Sequence, residues 1–299
     1  MPASKEPPEK TSSKPPRKKA KPAEAGGALP DRAAMESYLA TTAAPDRKAA
    51  LSKAQDMIYE AWEVAAPRSR IALARQALAL SPLCADAYHL LAGEAANAAE
   101  ARDLYARGVE AAELALGPEV FDNYGGHFWG VLETRPYMRA RHGLAMALLK
   151  LGEEEAAIGH MRALLKLNPG DNQGVRYLLL GLLLRRDDTA GVKKLLAAYK
   201  EEWSAYWLYT RALVAFRAGR GAAKPTVALA RDAYSSNAHV LGILTGAEPL
   251  VTGERGYIMA GGADEASEYV RECGWAWRET LGAIAWLNEV VAATPRKTH

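Results

Sequence analysis

His127, Trp129, Glu133 and Arg135 fall within nine residues of one another, beside Gly125-Gly126. An imidazole and a carboxylate are enough for acid–base chemistry if a pocket brings them together. On a loop held by a rigid scaffold, the same four side chains would instead suit partner binding. A packing reading competes with both. Phe121, Tyr124, Phe128 and Trp129 would then form a satellite core over the seam between two helical pairs, with Glu133 and Arg135 as a local ion pair. His142 is the third group that could join His127 and Glu133 around a metal, but their spacing matches no HExxH or comparable site. No catalytic residue, metal site or cofactor is expected. Asp187-Asp188 reads as a helix cap, and Gly125-Gly126 and Gly261-Gly262 read as turns.

A helical hairpin must position most of these groups. Pro136 to Asp171 reads PYMRARHGLAMALLKLGEEEAAIGHMRALLKLNPGD. A first helix runs to Leu151, and Gly152 breaks it. Glu153, Glu154 and Glu155 then place acid in the first turn of a second helix, where the positive dipole end favours it. Ala157, Met161 and Leu164 line one face of that helix, and Asn168-Pro169 stops it.

The pattern repeats along the chain. Residues 33–42 form a short lead-in helix. Residues 46–65 carry Ala50, Leu51, Ala54, Met57, Ile58, Ala61 and Trp62 at amphipathic spacing, and Pro67 opens the partner helix 68–80. Ala85 begins the next pair, whose second helix is Glu100 to Leu116. Pro82 and Pro169 occupy equivalent closing positions 87 residues apart, 19 more than two 34-residue units. The surplus, residues 117–135, is a structured insertion. Asn172 to Leu184 and Ala190 to Lys200 make another pair, then Ser204 to Arg217 and 224–235. Residues 237–262 read as a Gly-rich irregular connection. A final pair, Ala263 to Cys273 and Trp277 to Ala292, forms a C-terminal cap within 263–299. The predicted fold is all-α, a right-handed α-solenoid over residues 31–236.

A helix pair of this length, with small residues where the helices cross and a closing Pro, resembles the tetratricopeptide repeat over residues 50–236. The strings HFWGVLETRPYMRARHGLA (127–145) and LNPGDNQGVRYLLL (167–180) resemble bacterial and plant tetratricopeptide proteins grouped with the suppressor-of-tumorigenicity-7 family. The superfamily implies a concave groove that binds an extended peptide or helix of a partner protein and performs no chemistry. The subgroup implies no established activity. In the repeat register, Arg139, His142 and Met146 of one first helix and Gln173, Arg176 and Tyr177 of the next face the groove. Arg139 and Arg176, with Arg141 near them, would give it a basic character suited to an acidic peptide or a C-terminal carboxylate. Solvated charge on an exposed face is the alternative. The superfamily's carboxylate clamp is incomplete here, because its Asn is absent from the ninth positions, Met146 and Leu180. Arg211 falls where the register calls for a small residue. It is expected to pair with Glu201, Glu202 or an acid of the neighbouring hairpin, or else to touch a ligand.

Composition agrees with helices packed through small contacts. The chain is 49% hydrophobic, with few β-branched residues. Two cysteines, Cys84 and Cys273, make no disulfide framework and favour a reducing, intracellular and cytoplasmic setting. No apolar run reaches the roughly 20 residues of a membrane span, so no membrane role is expected. The formal charge of +3 resides in residues 1–30, which hold seven Lys/Arg against three Glu. That Pro/Lys-rich segment reads as a disordered tail. Its cluster Lys14 to Pro22 resembles a nuclear-localisation or nucleic-acid-binding tail, or serves solubility alone. The expected function is a protein-binding scaffold. A nuclear or nucleic-acid adaptor acting through the tail, and an enzyme with a site near His127 and Glu133, are the rivals.

Overall fold

The computed structural model describes residues 28–252 and 258–293. The basic cluster Lys14 to Pro22 therefore lies outside the described residues, and with it the question of a disordered tail. Among the described residues there are fifteen α-helices and no strand, an all-α helical-repeat fold. None of these helices is long and apolar enough to cross a membrane.

The first three are α1 (Arg32–Thr41), α2 (Ala44–Glu63) and α3 (Pro67–Leu80). Asp31 starts α1 by accepting from the Ala34 N–H at 2.9 Å, and Arg47 reaches back from α2 to the Leu39 and Thr42 carbonyls at its end. Next come α4 (Ala85–Gly93) and α5 (Ala98–Leu116), the latter capped by Asn97. After a short α6 (Pro118–Tyr124) and two single 3-10 turns, α7 (Arg135–Lys150) and α8 (Glu154–Leu167) form the hairpin the spacing predicts. Gly152 at φ 76° lets the Gly152 and Glu153 N–H groups close back onto Leu149 and Leu148. Asp188 caps α10 (Thr189–Ala198), which follows α9 (Val175–Arg185). Then come α11 (Ala205–Ala215), α12 (Lys224–Ser236), α13 (His239–Thr245), α14 (Ala263–Glu279) and α15 (Ala283–Ala292).

Helices pair as α2/α3, α4/α5, α7/α8, α9/α10 and α11/α12, and each pair leans on the next. Small residues set the closest crossing. A Cβ on Gly108 of α5 would lie 3.2 Å from Ala140 Cβ of α7 and 3.3 Å from the Ala85 carbonyl of α4. Alanines 85, 111, 112 and 140 are buried around it. Dispersion between closely approached backbones holds this seam.

Several expectations change. Residues 237–262 are not wholly irregular, because Val240, Leu241, Ile243 and Leu244 bury one side of α13. The C-terminal cap does not break between Cys273 and Trp277. Tyr269, Cys273 and Trp277 are buried at four-residue spacing, which outweighs the roughly 1 kcal/mol helix cost of Gly274. The turn falls instead at Gly282, φ 75°. Nor is α14 a lid on the last repeat alone, since it packs on both α9 and α11. Rings run from Tyr177 through Tyr206 and Tyr269 to Tyr209 and Trp277. Glu265, buried, accepts from the Ala205 N–H at 3.0 Å, Asn237 Nδ2 at 3.0 Å and the Gly261 N–H at 2.8 Å. Both cysteines are free and buried, and burial pushes each thiol up to about 12.

Candidate functional site: a polar ridge on the first helices

Asp86 sits in the first turn of α4 with no exposed side-chain surface. A buried carboxylate needs donors, and it has two side chains that supply them. Arg139 of α7 donates from Nε to Oδ1 at 2.9 Å, and Gln55 of α2 donates to Oδ2 at 2.8 Å. The Arg139 guanidinium carbon also lies 5.3 Å from the centroid of the Trp62 ring. Three helices are thereby joined through one ion pair.

One turn further along each helix stands a histidine. His89 follows Asp86 on α4, and His142 follows Arg139 on α7, both at i+3. Burial lowers the His89 and His142 pKa values, so both rings are held neutral. The His89 ring meets Tyr105 edge-on at 5.4 Å. Its Nδ1 is buried without a partner, as is Nε2 of His142. Gln173, ahead of α9, donates to the Met138 carbonyl at 3.2 Å while its Oε1 stays unpartnered. Met146 is half-buried against the core.

Arg176 of α9 is more enclosed. It contacts Asp171 at 3.3 Å and Glu202 at 2.6 Å, donates to the Tyr177 hydroxyl, and lies among the rings of Tyr177, Tyr199 and Trp207. Asp171, at φ 50°, also accepts from the Val175 and Arg176 N–H groups and so starts α9 three residues later than its apolar pattern suggests. Burial disfavours the Glu202 anion, but the Ser204 N–H and Arg176 outweigh it and hold that carboxyl below its ordinary value. Arg176 Nε is buried without a partner.

The expected basic groove is therefore corrected. Arg139 and Arg176 are both present at the ridge, but each faces carboxylates of its own chain. Arg141 turns to the Tyr137 hydroxyl instead. Arg211 also departs from expectation. Among the described residues it pairs with no acid but donates to the carbonyls of Leu196 in the last turn of α10, Tyr199 at its C-cap and Lys200 just beyond. Those carbonyls carry the negative end of the helix dipole and attract a cation.

In the insertion, packing dominates. Phe121, Phe128 and Tyr137 form a triangle with centroids 5.0 to 5.9 Å apart. The Gly126 N–H binds the Leu167 carbonyl and fixes the loop to the end of α8. Arg135 stacks on Trp129 and donates to its carbonyl at 3.0 Å, so the expected Glu133–Arg135 pair does not form. Tyr124 is 45% exposed and lies outside the small core. His127 and Glu133 are both exposed, and His142 belongs to the ridge, so the three do not converge. Among the described residues no group of three His, Cys, Asp or Glu is placed to hold a metal.

Sequence reasoning missed Asp86, Gln55 and His89, and gave Trp62 and Glu202 other roles, a core face and a partner for Arg211. Asp86 had a readable signal, the one acid in the largely apolar helix ADAYHLLAG. Its Arg partner, 53 residues away, had none.

No curated protein matches the chain. The family model described as ST7 protein matches residues 42–247, from the start of α2 to just past α13 and so across the whole ridge. The chain belongs to the ST7 protein family.

Proposed function

We propose that the stack works as tetratricopeptide arrays do, as a scaffold that binds an extended segment of a partner protein along α2, α4, α7 and α9. The observation that carries this reading is that four ridge side chains each keep a buried, unpartnered polar atom: His89 Nδ1, His142 Nε2, Gln173 Oε1 and Arg176 Nε, with Arg141 Nε a fifth such atom on α7. Leaving such an atom unsatisfied costs about 1–3 kcal/mol; each side chain is half-buried, so a turn outward lets the atom meet a partner's backbone N–H or C=O group. Because Arg139 and Arg176 are neutralised internally, the partner segment is selected by main-chain hydrogen bonding and apolar contact with Met146 and Tyr177, not by acidic charge. This replaces the acidic-peptide partner expected from the charges alone.

The test is a photo-crosslinking residue placed in the full chain at Met146 or Gln173, with Lys166 on α8 as the control. One partner captured from both ridge positions and not from Lys166, then lost in a folded His142→Phe/Gln173→Leu variant, supports the scaffold. Undiminished capture by that folded variant overturns it.

A further inference from the structure

One side of α2 carries a part-exposed aromatic pair. Tyr59 and Trp62 are 51% and 39% exposed, with ring centroids 5.5 Å apart. One ring already shows what it accepts, since the Arg139 guanidinium lies over Trp62. Asp56, Glu60 and Glu63 share one helical face at i, i+4 and i+7 spacing, Tyr59 borders that face, and Trp62 lies further round the helix beyond Tyr59. All three carboxylates are exposed. Among the described residues none of them is engaged in an ion pair, although thirteen Lys/Arg–carboxylate pairs occur elsewhere. Aromatic faces beside free carboxylates recognise Lys and Arg.

The chain carries such a segment itself. Residues 14–22 read KPPRKKAKP, with five Lys/Arg and no acid. The surrounding charge is complementary. Residues 28–122 hold nine Lys/Arg against fourteen Asp/Glu, a net of −5, while residues 1–27 hold seven against three, a net of +4. The tether is also short and well placed. Leu29 packs on the same core cluster as Ala54, Ile58 and Ala61 of α2, and the Tyr88 hydroxyl lies 3.3 Å from the Pro30 carbonyl. At about 3.3–3.6 Å per extended residue, Lys21 can reach roughly 25 Å from residue 28, and Lys14 roughly 50 Å. The 20-residue helix α2 is about 30 Å long.

We propose that the Tyr59–Trp62 face of α2, with Asp56, Glu60 and Glu63, is the docking surface for residues 14–22 of the same chain. A tether of this length gives an effective concentration on the order of millimolar, so weak cation–π and ion-pair contacts suffice. The docked segment lies beside Trp62 at the α2 end of the polar ridge, and its contacts at Tyr59, Asp56, Glu60 and Glu63 are not among the groups assigned to a bound partner.

A zero-length carbodiimide crosslink between Lys amines and carboxylates tests this on the full chain, using a mixture of isotopically labelled and unlabelled protein. Links from Lys14, Lys18, Lys19 or Lys21 to Asp56, Glu60 or Glu63 within one copy are expected, in several-fold excess over links to the exposed acids Glu119 and Asp122. They should disappear at about 1 M salt, where the Debye length falls to about 3 Å. They should weaken several-fold in Tyr59→Ser, whose exposed position leaves the fold intact. Links distributed evenly over the surface acids, or links joining labelled to unlabelled copies, overturn the proposal. Persistence in Tyr59→Ser overturns the aromatic part of it.

Discussion

Arg139 reaches from α7 to the fully buried carboxylate of Asp86 on α4, and its guanidinium lies over Trp62 of α2. The two ends of this pair differ in their access to water. The Arg139 side chain is 23% exposed and has another direction in which to turn, whereas Asp86 has none. Arg139→Met should therefore destabilise by about 3–5 kcal/mol, because it strands a buried anion. Asp86→Asn should cost less, about 1–2 kcal/mol, since the freed Arg can solvate. Urea unfolding of both single variants and the double variant checks the asymmetry. Equal and additive losses would show that the pair is not coupled.

Arg211 holds the end of α10 through three carbonyls. Arg211→Leu is expected to cost about 1 kcal/mol and to raise amide exchange in the last turn of α10, while Arg211→Lys keeps part of the effect. An unchanged exchange rate at Leu196 to Lys200 would contradict the capping role.

His89, His142 and His160 all have pKa values lowered by burial from the ordinary 6.5. Their folded-state pKa lies below the unfolded one, so the unfolded chain binds the extra protons. Stability is then complete above about pH 6.5 and declines as the pH falls below it. Glu202, held below 4.5, adds its own loss only in more acid solution. Thermal unfolding between pH 7.5 and 5 should show the decline, and His89→Gln/His142→Gln should flatten it. A flat wild-type profile would refute the assignment.

Gly143 lies under the Tyr105 ring, and a Cβ there would stand 2.2 Å from a ring carbon. Gly143→Ala should cost about 1–3 kcal/mol by displacing that ring. Tyr105→Ala should then cost markedly less in the Gly143→Ala background than alone, because the clash is gone. Additive costs in the double variant would disprove the contact.

Local punctuation made most of the fold legible. Gly152, Asn168-Pro169, Pro67 and Asp187-Asp188 each end or start a helix through their own backbone chemistry, and the structure places helix ends beside all of them. Long-range compensation was not legible. Arg139 looked like a free cation because Asp86 lies 53 residues away, and of the two acids that hold Arg176, Asp171 was near in sequence but Glu202 lies 26 residues on. The helix expected to end at Cys273 continues to Glu279, because Tyr269, Cys273 and Trp277 recur at four-residue spacing and are buried together. Residue type gives the capacity for an interaction, and only the fold assigns the partner.

Solenoids commonly lengthen or shorten by duplicating or losing a unit, because each contacts only its neighbours. Here α14 leans on both α9 and α11, and Glu265 ties the start of α11 to Asn237 after α12 and to Gly261. An added hairpin between α9 and α11 would pull apart two surfaces that one helix spans. The closing helix therefore acts as a gauge, and the number of repeats before it is a constraint on how this lineage can evolve.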